Sequence, residues 1–280
     1  MRIKSVLSVL LIALLLALLA WPALRWLWQE WLTNETYSHG PLVPLISLFF
    51  AWRTARQRPA PAAVSSTAKT ARGALPLTLI SLGAVVWSAM AQANYLALLC
   101  LLPLISGVIW FLQGAQAARQ YAFPVAYLAF AIPLPFIDQF TVPLQQWAAG
   151  AATALARLVG VPAAHEGSKI LLTTCDLSVG APCSGLRSLI ALLALAAILA
   201  YLQEGAPWRR AILIPLAVPV ALLTNILRIL ALLLVAERWG RSIALTLWHD
   251  WSGVFLFAVA LGLLILLSRG IGCRTVRSDI

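Results

Sequence analysis

The chain has 280 residues, 62% of them hydrophobic and only 10% charged, with a formal net charge of +11. Soluble globular domains carry about 25% charged residues, so this composition excludes that class and indicates a polytopic membrane protein. In such a protein Lys and Arg mark cytoplasmic loops, and the basic balance does not imply nucleic acid.

Taken in order, Met1 to Ala20 opens with Arg2 and Lys4 and then an apolar run, without a small-x-small cleavage site before Trp21-Pro22. It is expected to be an uncleaved first span. Trp21, Trp26, Trp28 and Trp31 form an interfacial belt. Asn34 to His39 is a polar loop, and Pro41 to Trp52 is a second apolar segment, shorter than the ~20 residues that cross a bilayer straight. The basic, Pro/Ala/Ser/Thr-rich tract 53–73 reads as a flexible cytoplasmic linker. Spans follow at Ala74–Ala91 and Tyr95–Leu112, with a tight turn at Gln92–Asn94. Tyr121–Ile137 is a fifth, broken by Pro124, Pro133 and Pro135.

Residues 138–182 form the largest outer loop region. Thr141–Val159 is expected to lie amphipathically along the surface, and Ser168–Val179 alternates as a short hairpin. Spans six, seven and eight are Cys183–Leu202, Ala211–Ala236 and Trp251–Ser268, within residues 183–268. The expectation is therefore one all-α membrane domain, residues 1–280, of about eight helices. Of the twenty Lys and Arg, thirteen fall in inner segments under this layout, five outside and two within spans. Both termini are then cytoplasmic.

The stretch Gly180–Leu189, GAPCSGLRSL, puts a thiol at the expected first turn of span six. There, orphan N–H groups and the helix dipole favour thiolate, and Arg187, four residues on, adds a cation on the same face. Cys183 is thus a candidate nucleophile. The plainer alternative is a small residue at a helix end with Arg187 snorkelling. Arg228 lies within span seven with Asn225 three residues earlier on the same face, and no Asp or Glu falls inside any expected span. An intramembrane cation is costly and marks function by default. His249 stands just before span eight at the same outer end. Thiol, imidazole and an electrophilic cation together are the parts of acyl transfer through a thioester. The four cysteines show no metal-ligand spacing, so no metal or cofactor is expected.

The segments SHGPLVP (Ser38–Pro44), PCSGLRSL (Pro182–Leu189), NILRI (Asn225–Ile229) and HDWSG (His249–Gly253) resemble, in order and spacing, those of the exosortase/archaeosortase family. The resemblance runs from about Asn34 to Phe257, and Pro182 departs from the small residue usual before the cysteine. It implies a membrane cysteine transpeptidase in the bacterial inner membrane, with its site on the extracytoplasmic face. Its partners would be membrane-anchored proteins with a C-terminal sorting signal: a short motif such as Pro-Glu-Pro, a transmembrane helix and a basic tail. By the same resemblance Cys183 is the nucleophile, Arg228 the oxyanion stabiliser and His249 the general acid/base. Arg187, Asn225, Ser184 and His39 are accessory positions. His39, in the first motif, and Cys175, in the same outer region as Cys183, have no assigned role. A transporter or channel using Arg228 as a substrate charge is the competing class; the lack of repeats speaks against it.

Overall fold

The computed structural model describes residues 11–12, 14–57, 68–180, 184–244, 249–273, 275 and 277. They are mostly helical and divide into two compact units, Met1–Leu134 (with Ile280) and Pro135–Asp279. Among the described residues four helices are long and apolar enough to cross a bilayer: Gly73–Met90, Asn94–Gln113, Pro207–Trp239 and Ser252–Gly270. Ala122–Ala131 and Leu186–Leu202 are shorter apolar helices. The expected first span lies largely outside the described residues.

The first unit starts with α1 (Trp21–Thr33) and α2 (Leu42–Gln57). Between them, the Asn34 side chain accepts a bond from the Thr36 N–H at 3.0 Å and starts a 3-10 turn, Glu35–Tyr37. Helix α2 runs five residues past the expected Trp52, since Thr54, Ala55 and Gln57 carry no break and Arg56 folds back over the Trp52 ring at 4.2 Å. Of the expected linker, 58–67 lies outside the described residues. Helices α3 (Ala68–Met90) and α4 (Asn94–Gln113) pack as an antiparallel pair. The expected tight turn joins them, with Gln92 at φ +54°. Small helices α5 (Ala115–Gln120) and α6 (Ala122–Tyr127) follow.

The fifth segment is broken as its prolines require. Helix α6 tightens into a 3-10 turn, Leu128–Ala131, and regular helix stops before Pro133. The backbone groups that the break leaves are taken up from earlier in the chain. The Trp31 indole N–H donates to the Ala131 carbonyl at 2.8 Å. The Tyr37 hydroxyl accepts from the Leu134 N–H at 3.0 Å, and the Ser47 hydroxyl donates to the Pro124 carbonyl at 2.5 Å.

The second unit is built around one long helix, α10 (Leu213–Trp239). Its amphipathic α7 (Thr141–Leu158) buries a stripe of small residues, Ala148, Ala149, Ala152, Thr153 and Ala156. Such a stripe lets backbones approach closely. Its partners in one apolar cluster are Ile226, Ile229, Leu233 and Ala236 of α10. Helix α7 is therefore not simply a surface helix: it seats against α10. Next comes an antiparallel sheet in the order β1–β2–β3, with β1 Ala163–Glu166, β2 Lys169–Leu172 and β3 Asp176–Ser178. The expected hairpin is β2–β3. The first strand, AAHE, carries no alternating pattern and joins through the Gly167 turn (φ +60°). Ala163, Ile170 and Leu177 of the sheet are buried in the cluster that holds α7 and α10.

Helix α8 (Leu186–Leu202) leads through α9 (Pro207–Ala211) into α10, and a short α11 (Arg241–Ile243) precedes α12 (His249–Gly270). A second apolar cluster joins Leu192 and Ala196 of α8, Ala217, Val220 and Ala221 of α10, and Ala260 and Leu264 of α12. The far end of α8 is tied down as well. The Gln203 amide donates to the Ser268 hydroxyl at 2.8 Å, and the Arg277 N–H donates to the Leu202 carbonyl at 2.8 Å.

Candidate functional site

Three of the four motif segments meet in the second unit. Cys183, with Ala181 and Pro182, lies outside the described residues, but the chain on its C-terminal side is well defined. Helix α8 starts at Leu186, three residues later in the sequence than the expected start of span six at Cys183. The cause is Gly185, which caps the helix in the left-handed conformation at φ +80° and stops it from extending backwards. Arg187 is consequently in the first turn of α8. The Ser184 hydroxyl accepts from the Leu186 N–H at 3.3 Å, and the Ser188 hydroxyl donates to the Gly185 carbonyl at 2.9 Å. From Ser184 onward the entry into α8 is thus tightly bonded. The positive end of the α8 dipole still points back toward this segment.

Glycine is required at 185 for a second reason. A β-carbon there would come within 2.9 Å of both Cγ and Nδ2 of Asn225. Asn225 is 5% exposed, and so the residue next but one to Cys183 rests directly on the middle of α10. One helical turn along α10, the Arg228 Nε donates to the Ser252 hydroxyl of α12 at 3.1 Å. A β-carbon on Gly253 would stand 3.7 Å from Arg228 Nη2. Ser252 is 2% exposed, whereas Arg228 is half-buried.

The absence of carboxylates from the expected spans therefore does not leave Arg228 unsupported. A neutral hydroxyl holds one edge of its guanidinium and orients the group. Composition could not single out Ser252 as that partner; its place three residues after His249 in HDWSG was the available signal. His249 itself opens α12, one turn before Ser252, and not the loop ahead of it as expected. Among the described residues, the motif segments that hold the three expected catalytic positions are linked by Gly185 on Asn225 and by Arg228 on Ser252.

The remaining positions fall elsewhere. Cys175 is half-buried and packs against the α7/α10 cluster in the turn between β2 and β3, where the Thr174 hydroxyl lies 3.9 Å from its sulfur. That turn is fastened to the end of α10, for Thr173 and Thr174 both hydrogen-bond the Glu237 carboxylate. His39 belongs to the first unit and stacks on Tyr37 at 6.1 Å. Its ring nitrogens are buried, near the Phe130 and Thr36 backbone but without a hydrogen bond of good geometry among the described residues. Burial lowers its pKa below the usual 6.5; the carbonyls of Phe130 and Thr36 offset this only in part. Among the described residues no group of three or more His, Cys, Asp or Glu could hold a metal ion.

A family model described as transmembrane exosortase matches residues 31–266, which takes in all four motif segments. No curated protein and no solved structure matches the chain.

Proposed function

Since this chain belongs to the transmembrane exosortase family, we propose that it is a membrane-embedded cysteine transpeptidase or peptidase acting on exported, membrane-anchored proteins. Its substrates carry a C-terminal sorting signal of short motif, transmembrane helix and basic tail. The observation that supports this reading best is the convergence of Gly185 with Asn225 and of Arg228 with Ser252, which draws three sequence-distant motifs together at the starts of α8 and α12 and the middle of α10.

In the reaction the Cys183 thiolate attacks the scissile carbonyl carbon and its electrons move onto the oxygen. The Arg228 guanidinium, a planar donor already held at one edge, stabilises that oxyanion. Collapse breaks the C–N bond as the His249 imidazolium gives its proton to the leaving amine, and a thioester to Cys183 remains. Neutral His249 then takes a proton from the incoming acceptor, an amine, a hydroxyl or water, whose attack releases the thiolate. Arg187, in the first turn of α8, adds positive charge on the side from which the Cys183 segment arrives.

The excess of Lys and Arg in the segments taken as cytoplasmic supports placing the site on the extracytoplasmic face of the bacterial inner membrane, with both termini inside. Cys183→Ala should abolish cleavage of a substrate with the tripartite signal, and Cys175→Ala should keep most of it. The unsubstituted protein should give a thioester adduct on Cys183 whose peptide is identified by mass spectrometry. Full processing by Cys183→Ala would overturn the mechanism. In intact cells an impermeant label should reach positions near Lys169 and spare 53–72; the reverse pattern would overturn the orientation.

A further inference from the structure

The three-stranded sheet has two edges, and the protein treats them differently. Hydrogen bonds from the Leu172 N–H to the Cys175 carbonyl (3.0 Å) and from the Val179 N–H to the Ser168 carbonyl (2.9 Å) bracket the β2–β3 ladder. Pairs in an antiparallel ladder alternate between bonded and non-bonded. Cys175, Leu177 and Val179 therefore turn their backbone groups toward β2, and Asp176, Ser178 and Gly180 turn theirs outward.

On the opposite edge the register leaves Ala163 and His165 facing out. That edge is closed, because the Ala163 carbonyl accepts from Arg157 Nε at 2.6 Å and α7 packs along β1. At β3 nothing comparable occurs: Asp176 and Ser178 are exposed, and among the described residues no backbone hydrogen bond reaches the outward side of Asp176, Ser178 or Gly180. Unpaired strand edges invite another extended backbone and are normally covered or kept short. Among the described residues this one is not covered, and in the sequence it leads toward Cys183. Gly180 is three residues before Cys183, so their Cα atoms are at most about 11 Å apart whatever the path between them.

We infer that the β3 edge is the docking strand for the peptide substrate: an extended stretch of the sorting signal adds beside Asp176–Gly180 as a fourth strand. This rests on the peptidase reading above. Main-chain bonds to Asp176, Ser178 and Gly180 would hold about five substrate residues extended, leaving alternate substrate side chains on each face. The ion pair of Lys169 with Asp176 (2.6 Å) stands on the outer face beside them.

The test uses the full chain in proteoliposomes with a substrate protein bearing Pro-Glu-Pro, a transmembrane helix and a basic tail. Ser178→Pro removes an outward N–H without touching the β2–β3 bonds. It should raise KM roughly 10-fold, the effect of losing one main-chain bond in a strand addition, with kcat little changed. Ser178→Ala keeps the N–H and should fall nearer the unsubstituted protein. In parallel, a photo-crosslinking side chain carried at position 178 in the Cys183→Ala chain should label every second residue of the bound segment. A wild-type KM in Ser178→Pro, or crosslinks that are absent or lack the two-residue alternation, would overturn the inference. If Ser178→Pro does not accumulate, the crosslinking pattern decides alone. Failure of the unsubstituted protein to cleave would refute the peptidase reading instead, since crosslinking needs no turnover.

Discussion

In the unit ending at Leu134, Trp31, Tyr37 and Ser47 all turn toward one stretch of backbone, bonding Ala131, Leu134 and Pro124. In the unit from Pro135 to Asp279 the corresponding long-range bonds run mostly between side chains: Arg228 to Ser252, Gln203 to Ser268, and Thr173 and Thr174 to Glu237. The first arrangement repairs a helix that prolines have broken, in surroundings where an unsatisfied amide costs several kcal/mol. The second ties side chains of different elements to one another, the Arg228 guanidinium among them. Buried polarity therefore does not mark a site by itself; what it bonds to separates a structural repair from a candidate reaction centre.

The strongest challenge to that distinction falls on Arg228. Arg228→Lys keeps the charge and loses the planar donor, and it should cost ~100- to 1000-fold in kcat at matched membrane abundance. Arg187→Lys should be milder, because positive charge is most of what that position supplies. If the two results are exchanged, the second unit's central contact is structural and the contrast with the first unit collapses.

Gly185→Ala should come next. The added carbon meets Asn225 at 2.9 Å in a left-handed backbone, and the expected loss is at least ~10-fold in kcat together with about 1–3 kcal/mol of stability. A wild-type rate and thermal midpoint would show that the α8 entry and α10 need no such close approach.

Tyr37→Phe sharpens the comparison from the other side. It leaves the Leu134 N–H without its acceptor, which should cost about 1–3 kcal/mol. The thermal midpoint and membrane abundance should fall while turnover per folded molecule holds. A drop in kcat at unchanged stability would place Tyr37 among the reacting groups.

The smallest effect concerns His39. Its pKa is lowered in the fold, first by burial, so on acidification the unfolded chain takes up the proton before the folded one does. Stability is then full above about pH 6.5 and declines as the pH falls through 6.5 toward the lower folded value. Thermal unfolding measured from about pH 7.5 to 5 should show that slope in the native protein and a shallower one in His39→Gln. Identical slopes would remove His39 as the source.

Much of this architecture was legible in the sequence. The long apolar runs became the four long helices, Gln92–Asn94 became a turn, and the prolines after Tyr127 ended the fifth segment. The four motifs pointed to residues that the second unit does bring together in three of the four cases, through Gly185, Asn225, Arg228 and Ser252. The start of α8 was not legible, because the left-handed turn at Gly185 is fixed by Asn225, forty residues away in sequence. Strand β1 was hidden because AAHE has no strand pattern of its own and pairs only once β2 offers a ladder. Likewise the seat of α7 on α10 depends on the small-residue stripe meeting a partner, which an amphipathic pattern alone does not name.

The broken fifth segment also sets an order of events during synthesis. Its partners lie 77 to 100 residues earlier in the chain. At about 5–20 residues per second they leave the ribosome roughly 4–20 s before the amides they will serve. Trp31, Tyr37 and Ser47 are thus waiting when the interrupted stretch emerges, and a segment too irregular to settle in lipid alone arrives where its acceptors and donors already stand. Arg228 and Ser252 are separated by only 24 residues and follow one another within about 1–5 s. The nascent chain can seal its broken apolar segment before the residues of the candidate site have been made.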